Sequence, residues 1–321
     1  MTWLITGGAG YIGSHVVTAA RAAGHQVVII DDLSTGFADR IPSDVTFVNA
    51  DIADHDAVRS IIREHGVTGV VHLAAKKQVG ESVEQPLVYW EWNVSKMITF
   101  LDVLVSENVR NFVYSSSAAV YGNPEDGSTA LTELTPCKPL SPYGATKLAG
   151  EVLIDSLTTI DKLSAVSLRY FNVAGTANKT LADRLALNLI PIALTFLGED
   201  KSVTIFGSDY PTQDGTCIRD YVHVVDLAEA HVAAMAYLDQ SSGGHTRLNI
   251  GTGTGASVLD IVHGIERCAN KPVTWHDAGR RAGDPVAVVA SVEQAKSVLG
   301  WQSTRSLDDI IQSAWDAWPK A

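Results

Sequence analysis

Apolar positions along this chain fall into two patterns that take turns. Short unbroken apolar runs end in glycine or an acid, and between them lie longer segments with apolar residues every three or four positions. "TWLIT" (2–6) is a run of the first kind. The glycine-rich "GGAGYIGSH" follows, then Val16, Val17, Ala20 and Ala23 at helical spacing up to Gly24. "HQVVIIDD" predicts a second buried strand with Asp31 at its tip. "VTFVNADI" predicts a third, ending in Asp51 and Ile52, and "AVRSIIREHG" a helix. "VTGVVHLAA" (strand), "MITFLDVLVSENV" (helix) and "NFVYSSS" (strand) continue the alternation. Strands alternating with helices predict an α/β fold with a doubly wound parallel sheet, whose ligands sit at the carboxyl ends of the strands. Candidate chemistry therefore lies at Gly7 to Gly13, Asp31, Asp51, Leu73 to Lys77 and Ser115 to Ser117.

The 321 residues are 46% hydrophobic and 19% charged, a globular composition. They predict a cofactor domain over 1–175, with a return of about 219–240, and a smaller substrate-binding α/β region over 176–321. The net charge of -12 argues against nucleic acid, because most of the surface would repel a phosphate backbone. No apolar run reaches the roughly 18 residues of a membrane span. "MTWLITGGAG" has no basic region or cleavage-like site, so the expectation is a cytoplasmic protein. Cys137, Cys217 and Cys268 are odd in number and far apart, so no disulfide framework or CxxC knuckle is expected. The ten histidines form no HxxxH or HExxH pair, and no metal is expected.

Gly7-x-x-Gly10-x-x-Gly13, between a strand and a helix, lets backbone approach a pyrophosphate lying on the amides and dipole of the new helix. Asp31 can accept hydrogen bonds from ribose hydroxyls and would repel a 2′-phosphate, which favours NAD over NADP. Further on, "SPYGATKLAGE" (141–151) places Tyr143 and Lys147 on one helical face. A free phenol has a pKa of about 10 and is a poor base near neutrality. A nearby ammonium and the cationic ring of an oxidised cofactor would both favour the phenolate. A serine hydroxyl from Ser115 to Ser117 would then hold a substrate oxygen while Tyr143 removes its proton, an arrangement suited to hydride transfer from a carbinol.

Together the glycine turn, "SSSAAVYG" (115–122) and Tyr143-x-x-x-Lys147 resemble the extended short-chain dehydrogenase/reductases. The agreement continues through "RYFNVAG", "IFGSDYPTQDGTCIRDYVHVVDLAEAH" and "RRAGDP", a pattern similar to the sugar-nucleotide 4-epimerases that interconvert UDP-galactose and UDP-glucose. The resemblance implies a Rossmann-type cofactor domain, tightly bound NAD, and catalysis by Ser117, Tyr143 and Lys147. It implies cofactor contacts at Gly7, Gly10, Tyr11, Ile12, Gly13, Asp31, Asp51, Ile52, Leu73, Ala74, Ala75, Lys77, Asn93, Ser115 and Tyr170, besides Tyr143 and Lys147. For the UDP-sugar it implies Ser117, Asn172, Asn188, Leu189, Arg219, Arg281 and Asp284, the two arginines suiting a diphosphate. Related dehydratases carry an Asp-Glu pair after the serine or threonine; Ala118 and Ala119 stand here, so dehydration is not expected. Val288, where some relatives carry tyrosine, implies room for a 2-acetamido group. Family members commonly form homodimers.

Two rivals remain at this point: a 4-epimerase of another UDP-sugar such as the glucuronate, and a non-catalytic NAD-sensing protein. The Tyr143, Lys147 and Ser117 set speaks against the second. "NIGTGTGAS" (249–257) imitates a phosphate loop but lacks the spacing, and Ser257 suits an N-cap, so it reads as a structural turn. Trp301, Trp315 and Trp318 read as packing residues.

Overall fold

A computed structural model of the chain describes residues 1–123, 130–240, 243–281 and 284–319. The first part comprises β1 (Thr2–Thr6), α1 (Tyr11–Ala22), β2 (Gln26–Asp31), β3 (Thr46–Asn49), α2 (His55–His65), β4 (Val67–His72), α3 (Val79–Glu84) and α4 (Pro86–Trp90). It continues with α5 (Lys96–Ser106), β5 (Asn111–Ser117), β6 (Ala130–Leu131), α6 (Pro142–Thr159), β7 (Ser164–Tyr170) and β8 (Asn172–Ala174). The rest supplies α7 (Leu189–Gly198), β9 (Val203–Ile205), β10 (Ile218–His223), α8 (Val224–Gln240), β11 (Gly244–Ile250) and β12 (Gly255–Ser257). Then come α9 (Val258–Ala269), β13 (Trp275–Asp277), β14 (Ala287–Ala290), α10 (Glu293–Leu299) and α11 (Leu307–Ala317).

Seven parallel strands form the central sheet in the order β11-β7-β5-β4-β1-β2-β3. Its inner strands are apolar on both faces because helices cover both. Strand alternation sends Ile5 to one face, where it packs with Val16 and Val17 of α1 and Leu227 and Met235 of α8. Its neighbour Leu4 goes to the other face, among Val58 and Ile62 of α2, Phe100 and Leu104 of α5 and Ile154 of α6. A second sheet runs β12-β10-β14-β6, with β8 also paired to β10. Ile190, Leu194, Ile261, Ile265, Ile310 and Ile311 of α7, α9 and α11 build a separate core there.

The segment after residue 218 divides between the two parts. Helix α8 packs on α1 beside the seven-stranded sheet, whereas β10 joins the second sheet; β11 is the strand that completes the seven-stranded one. The "NIGTGTGAS" stretch is a turn, with Ser257 accepting from Asp260 N as the N-cap of α9. Its amides enclose an anion of this chain instead of a ligand. Asp220 accepts from Thr252 N at 2.8 Å, Gly253 N at 3.0 Å and Ala290 N at 3.1 Å. Trp301 is buried and donates Nε1–H to Asp226 O, and Trp315 and Trp318 pack against the second core. Among the described residues no helix is long and apolar enough to cross a membrane, and no group of side chains could hold a metal ion.

Candidate active site and cofactor cleft

The glycine turn after β1 sits where backbone alone can pass. Gly7 has φ +70°, and a Cβ there would lie 2.9 Å from Ala74 N. A Cβ on Gly13 would lie 2.0 Å from Gly7 O, so only glycine lets α1 press against the turn. Gly10 caps α1 without a side-chain bond, and no acid occupies its first turn, which leaves that end suited to an anion. Asp31, at the tip of β2, accepts from Ala9 N at 2.9 Å and Leu33 N at 2.8 Å. These bonds aim the carboxylate and leave lone pairs on both oxygens.

A cleft of about 1230 Å³, counted out to open solvent, runs along these strand ends. Gly7, Gly10, Tyr11, Ile12, Gly13, Asp31, Asp51, Ile52, Leu73, Ala74, Ala75, Lys77, Ser115, Tyr143, Lys147 and Tyr170 all line it. A glycine cradle, an uncapped helix end and a carboxylate at the next strand tip fit a dinucleotide in the NAD form. Asn93 does not line this cleft. Its side chain accepts from Lys76 N at 2.8 Å and donates to Lys76 O and Thr146 Oγ1, both at 3.0 Å, tying the 76–77 turn to α6. The sequence reading missed Arg40, Trp92, Lys96, Asp183 and Leu185, which also line the cleft, as does Lys76 beyond the end of β4. Lys96 pairs with Asp51 and stands 3.4 Å from the centre of the Trp92 ring. The i, i+4 spacing of Trp92 and Lys96 was the one local signal for them.

A second cavity adjoins the first and is lined by Ser117, Asn172, Asn188 and Leu189, with Phe171 and Tyr221. Tyr143 lines both cavities. Strand alternation explains how β5 serves them: Ser115 and Ser117 share a face, while Ser116 turns away to donate to Glu151 at 2.6 Å. Ser141 caps α6 by accepting from Gly144 N, and Pro142 follows at the first helical position. A Cβ on Gly144 would lie 2.4 Å from Ala119 O, so this glycine lets α6 press against the turn after Ser117. Ser117 and Tyr143 are thereby brought close enough for the hydroxyl to act on the phenol.

Electrostatics in the protein alone departs from the sequence expectation. Burial raises the Tyr143 phenol above its ordinary value, and the Ser117 hydroxyl offsets only part of this. Lys147 does not lower it. Its buried ammonium donates instead to Ser115 O at 2.7 Å, and burial pulls its own pKa down to about 7. Tyr170 bonds to His231, and burial pushes its phenol far up.

Arg219, Arg281, Asp284 and Val288 do not line either cavity. Arg219 and Tyr221 share a face of β10, but only Tyr221 reaches the cavity; Arg219 sits one pleat further along, paired with Asp284. Arg281 stacks on the Phe206 ring, 3.5 Å from its centre. Val288 is opposite Arg219 in the β10–β14 register and packs against the cluster of Val120, Tyr121, Leu131, Phe171 and Ala290.

The pattern of the NAD dependent epimerase/dehydratase family matches residues 3–251. The UDP-glucose 4-epimerase of Corynebacterium glutamicum is 42% identical over 318 residues, covering 98% of this chain and 95% of that protein. A crystal structure of the Stenotrophomonas maltophila UDP-glucose 4-epimerase, with bound NAD and formylated UDP-arabinopyranose, superposes with a TM-score of 0.92 at 37% identity. It covers 99% of this chain and 97% of its own. The Bifidobacterium longum enzyme, in complex with NAD+ and UDP, gives 0.90 at 33% identity, covering 99% and 98%.

Proposed function

The chain belongs to the NAD dependent epimerase/dehydratase family, and from that premise we propose that it is an isomerase interconverting UDP-glucose and UDP-galactose by inverting C4 of the sugar. The observation that carries this reading is the Ser117–Tyr143 pair at the junction of two cavities. One is built like a dinucleotide cleft, and the other has the polar groups for a sugar nucleotide. Bound in the first cavity, NAD supplies a reversible hydride acceptor for C4. The protein's own groups do the rest. Ser117 orients the sugar 4-hydroxyl toward Tyr143, which takes its proton as C4 is oxidised and returns it when C4 is reduced. Asn172, Asn188 and Leu189 hold the nucleotide while the ketone turns over. Ala118 and Ala119 offer no acid or base for water loss, which supports epimerisation over dehydration.

Arg219 and Arg281 bind the diphosphate in this reading, which requires Arg219 to exchange Asp284 for phosphate oxygens. The protein works in the cytoplasm as a homodimer; Ile98 of α5 and Val152 of α6, each about half exposed, supply an apolar face for the pairing. Incubation with UDP-galactose, without added reductant, tests the proposal. Chromatography detects UDP-glucose from the wild type and none from Tyr143→Phe. An active Tyr143→Phe enzyme contradicts the assignment of the base.

A second substrate follows from Val288, which packs on the apolar cluster whose Phe171 lines the sugar cavity. A small side chain there accommodates a 2-acetamido group, so UDP-N-acetylglucosamine is also epimerised.

A further inference from the structure

Arg40 ends a short 3-10 turn (Ala38–Arg40) and is 4% exposed, yet it lines the cofactor cleft. A buried guanidinium is costly to leave without an anion. Asp39 and Asp183 are the carboxylates near enough to act on it, and neither lies at ion-pair distance among the described residues. Its Nη2 donates to Ala182 O, and its Nε has no hydrogen-bond partner. The cation also stands near enough to Tyr11 and His15, in the first turns of α1, to act on both. It therefore shares the cleft with the glycine turn and the first turn of α1.

A clasp holds this arrangement shut. Arg184 donates to both oxygens of Asp39, at 3.0 and 2.8 Å, and to Thr180 O at 2.7 Å. Arg40 and Arg184 both stack on Phe37, 4.9 and 5.1 Å from its ring centre. This draws residues 182–185 across from the substrate-binding half, so that Asp183 and Leu185 become part of the cofactor cleft's wall.

We propose that Arg40 is a cofactor ligand of this chain, its guanidinium supplying the positive charge for a phosphate of the bound dinucleotide, and that residues 182–185 are a strap clasped over the cofactor by Asp39 and Arg184. The inference rests on the reading that the cleft holds NAD. A buried cation left unpaired by the protein is matched by the charge of the cofactor, and the strap that Arg40 anchors slows the cofactor's escape.

NAD-free protein titrated with NADH, followed by nucleotide fluorescence, tests this. Arg40→Met keeps an apolar stem in the buried site and is predicted to weaken NADH about tenfold, the loss of one charge-assisted contact. ADP-ribose, competing with NADH, loses affinity by the same factor, whereas adenosine does not. The unfolding midpoint of the NAD-free protein holds or rises, because an unpaired buried cation has been removed. Arg184→Gln, which opens only the clasp, speeds NADH release about threefold. Unchanged NADH affinity in Arg40→Met, or an equal loss for adenosine, overturns the inference. If Arg40→Met does not fold without cofactor, Arg40→Lys decides: it keeps the charge, loses the fork, and is predicted to weaken NADH about threefold, with unchanged affinity the contrary result. Wild-type protein that fails to bind NADH overturns the cofactor reading itself.

Discussion

Lys147 directs its ammonium at the backbone carbonyl of Ser115, 2.7 Å away, on the strand that also delivers Ser117. The contact fixes the spacing between α6, which carries Tyr143, and β5, which carries the serine. It does this with a group whose burial has brought its pKa to about 7. Lys147 is thus first a tie between the elements that carry Tyr143 and Ser117 and a cation only in part near neutrality. Lys147→Met is predicted to lower kcat about a hundredfold or more by steady-state assay with UDP-galactose. A variant within threefold of wild type contradicts the role.

Asp220 marks the difference between a phosphate loop and its imitation. Its carboxylate accepts from three backbone amides and from Thr252 Oγ1 at 2.7 Å. Asp220→Ala strands these donors and is predicted to cost about 3 kcal/mol or more in urea unfolding. NADH affinity of the folded fraction stays unchanged, because the loop binds no nucleotide.

Four buried histidines make the fold sensitive to acid. His15, His223 and His231 are held near a pKa of about 4 and His72 near about 3, burial being the largest cause in each. In the unfolded chain they titrate at about 6.5. Folded values below unfolded ones mean that the unfolded state binds the protons first. Stability is therefore full above about pH 6.5 and is lost as pH falls toward 4. The predicted loss between pH 7 and 5.5 is roughly 1 kcal/mol per histidine, read from urea midpoints. His72 is the most telling of them. Thr6 Oγ1 accepts from Leu73 N and Ala74 N, both at 3.1 Å, so its own proton goes to His72 Nδ1 at 2.9 Å. A protonated ring breaks that chain at the very turn that lines the cofactor cleft.

Val288→Tyr is predicted to suppress epimerisation of UDP-N-acetylglucosamine at least tenfold while leaving UDP-glucose turnover within threefold, since a bulky ring fills space at the cluster that includes Phe171. Negligible N-acetylglucosamine turnover in both proteins contradicts the second substrate.

Much of this was legible in the sequence because it was local. The glycine turn, Asp31 and the Tyr143–Lys147 pair lie within single turns or at strand tips, where spacing alone fixes their place. Alternation along "SSS" separates the two cavity-facing serines from Ser116. Short helices α3 and α4 and the π-helical turn over 91–95 were not legible, for their residues follow neither a helical nor a strand period. Strand β10 looked like part of the cofactor half because its helix α8 packs beside the seven-stranded sheet; pairing partners far along the chain drew it to the other sheet. Arg40 was invisible for the same reason, since its contact at Ala182 lies 142 residues away. Spacing reveals that a lysine is near Tyr143 but not where its ammonium points, which is Ser115 O, nor that burial raises the phenol in the protein alone.

That last point defines the direct test of the mechanism, since the protein by itself raises the Tyr143 phenol and the oxidised cofactor must bring it down. The measurement is a spectrophotometric pH titration of phenolate formation, wild type minus Tyr143→Phe, on NAD-free and NAD+-loaded protein. The account predicts a midpoint above about 10 without NAD+ and well below it with NAD+ bound. One and the same midpoint in both forms contradicts it.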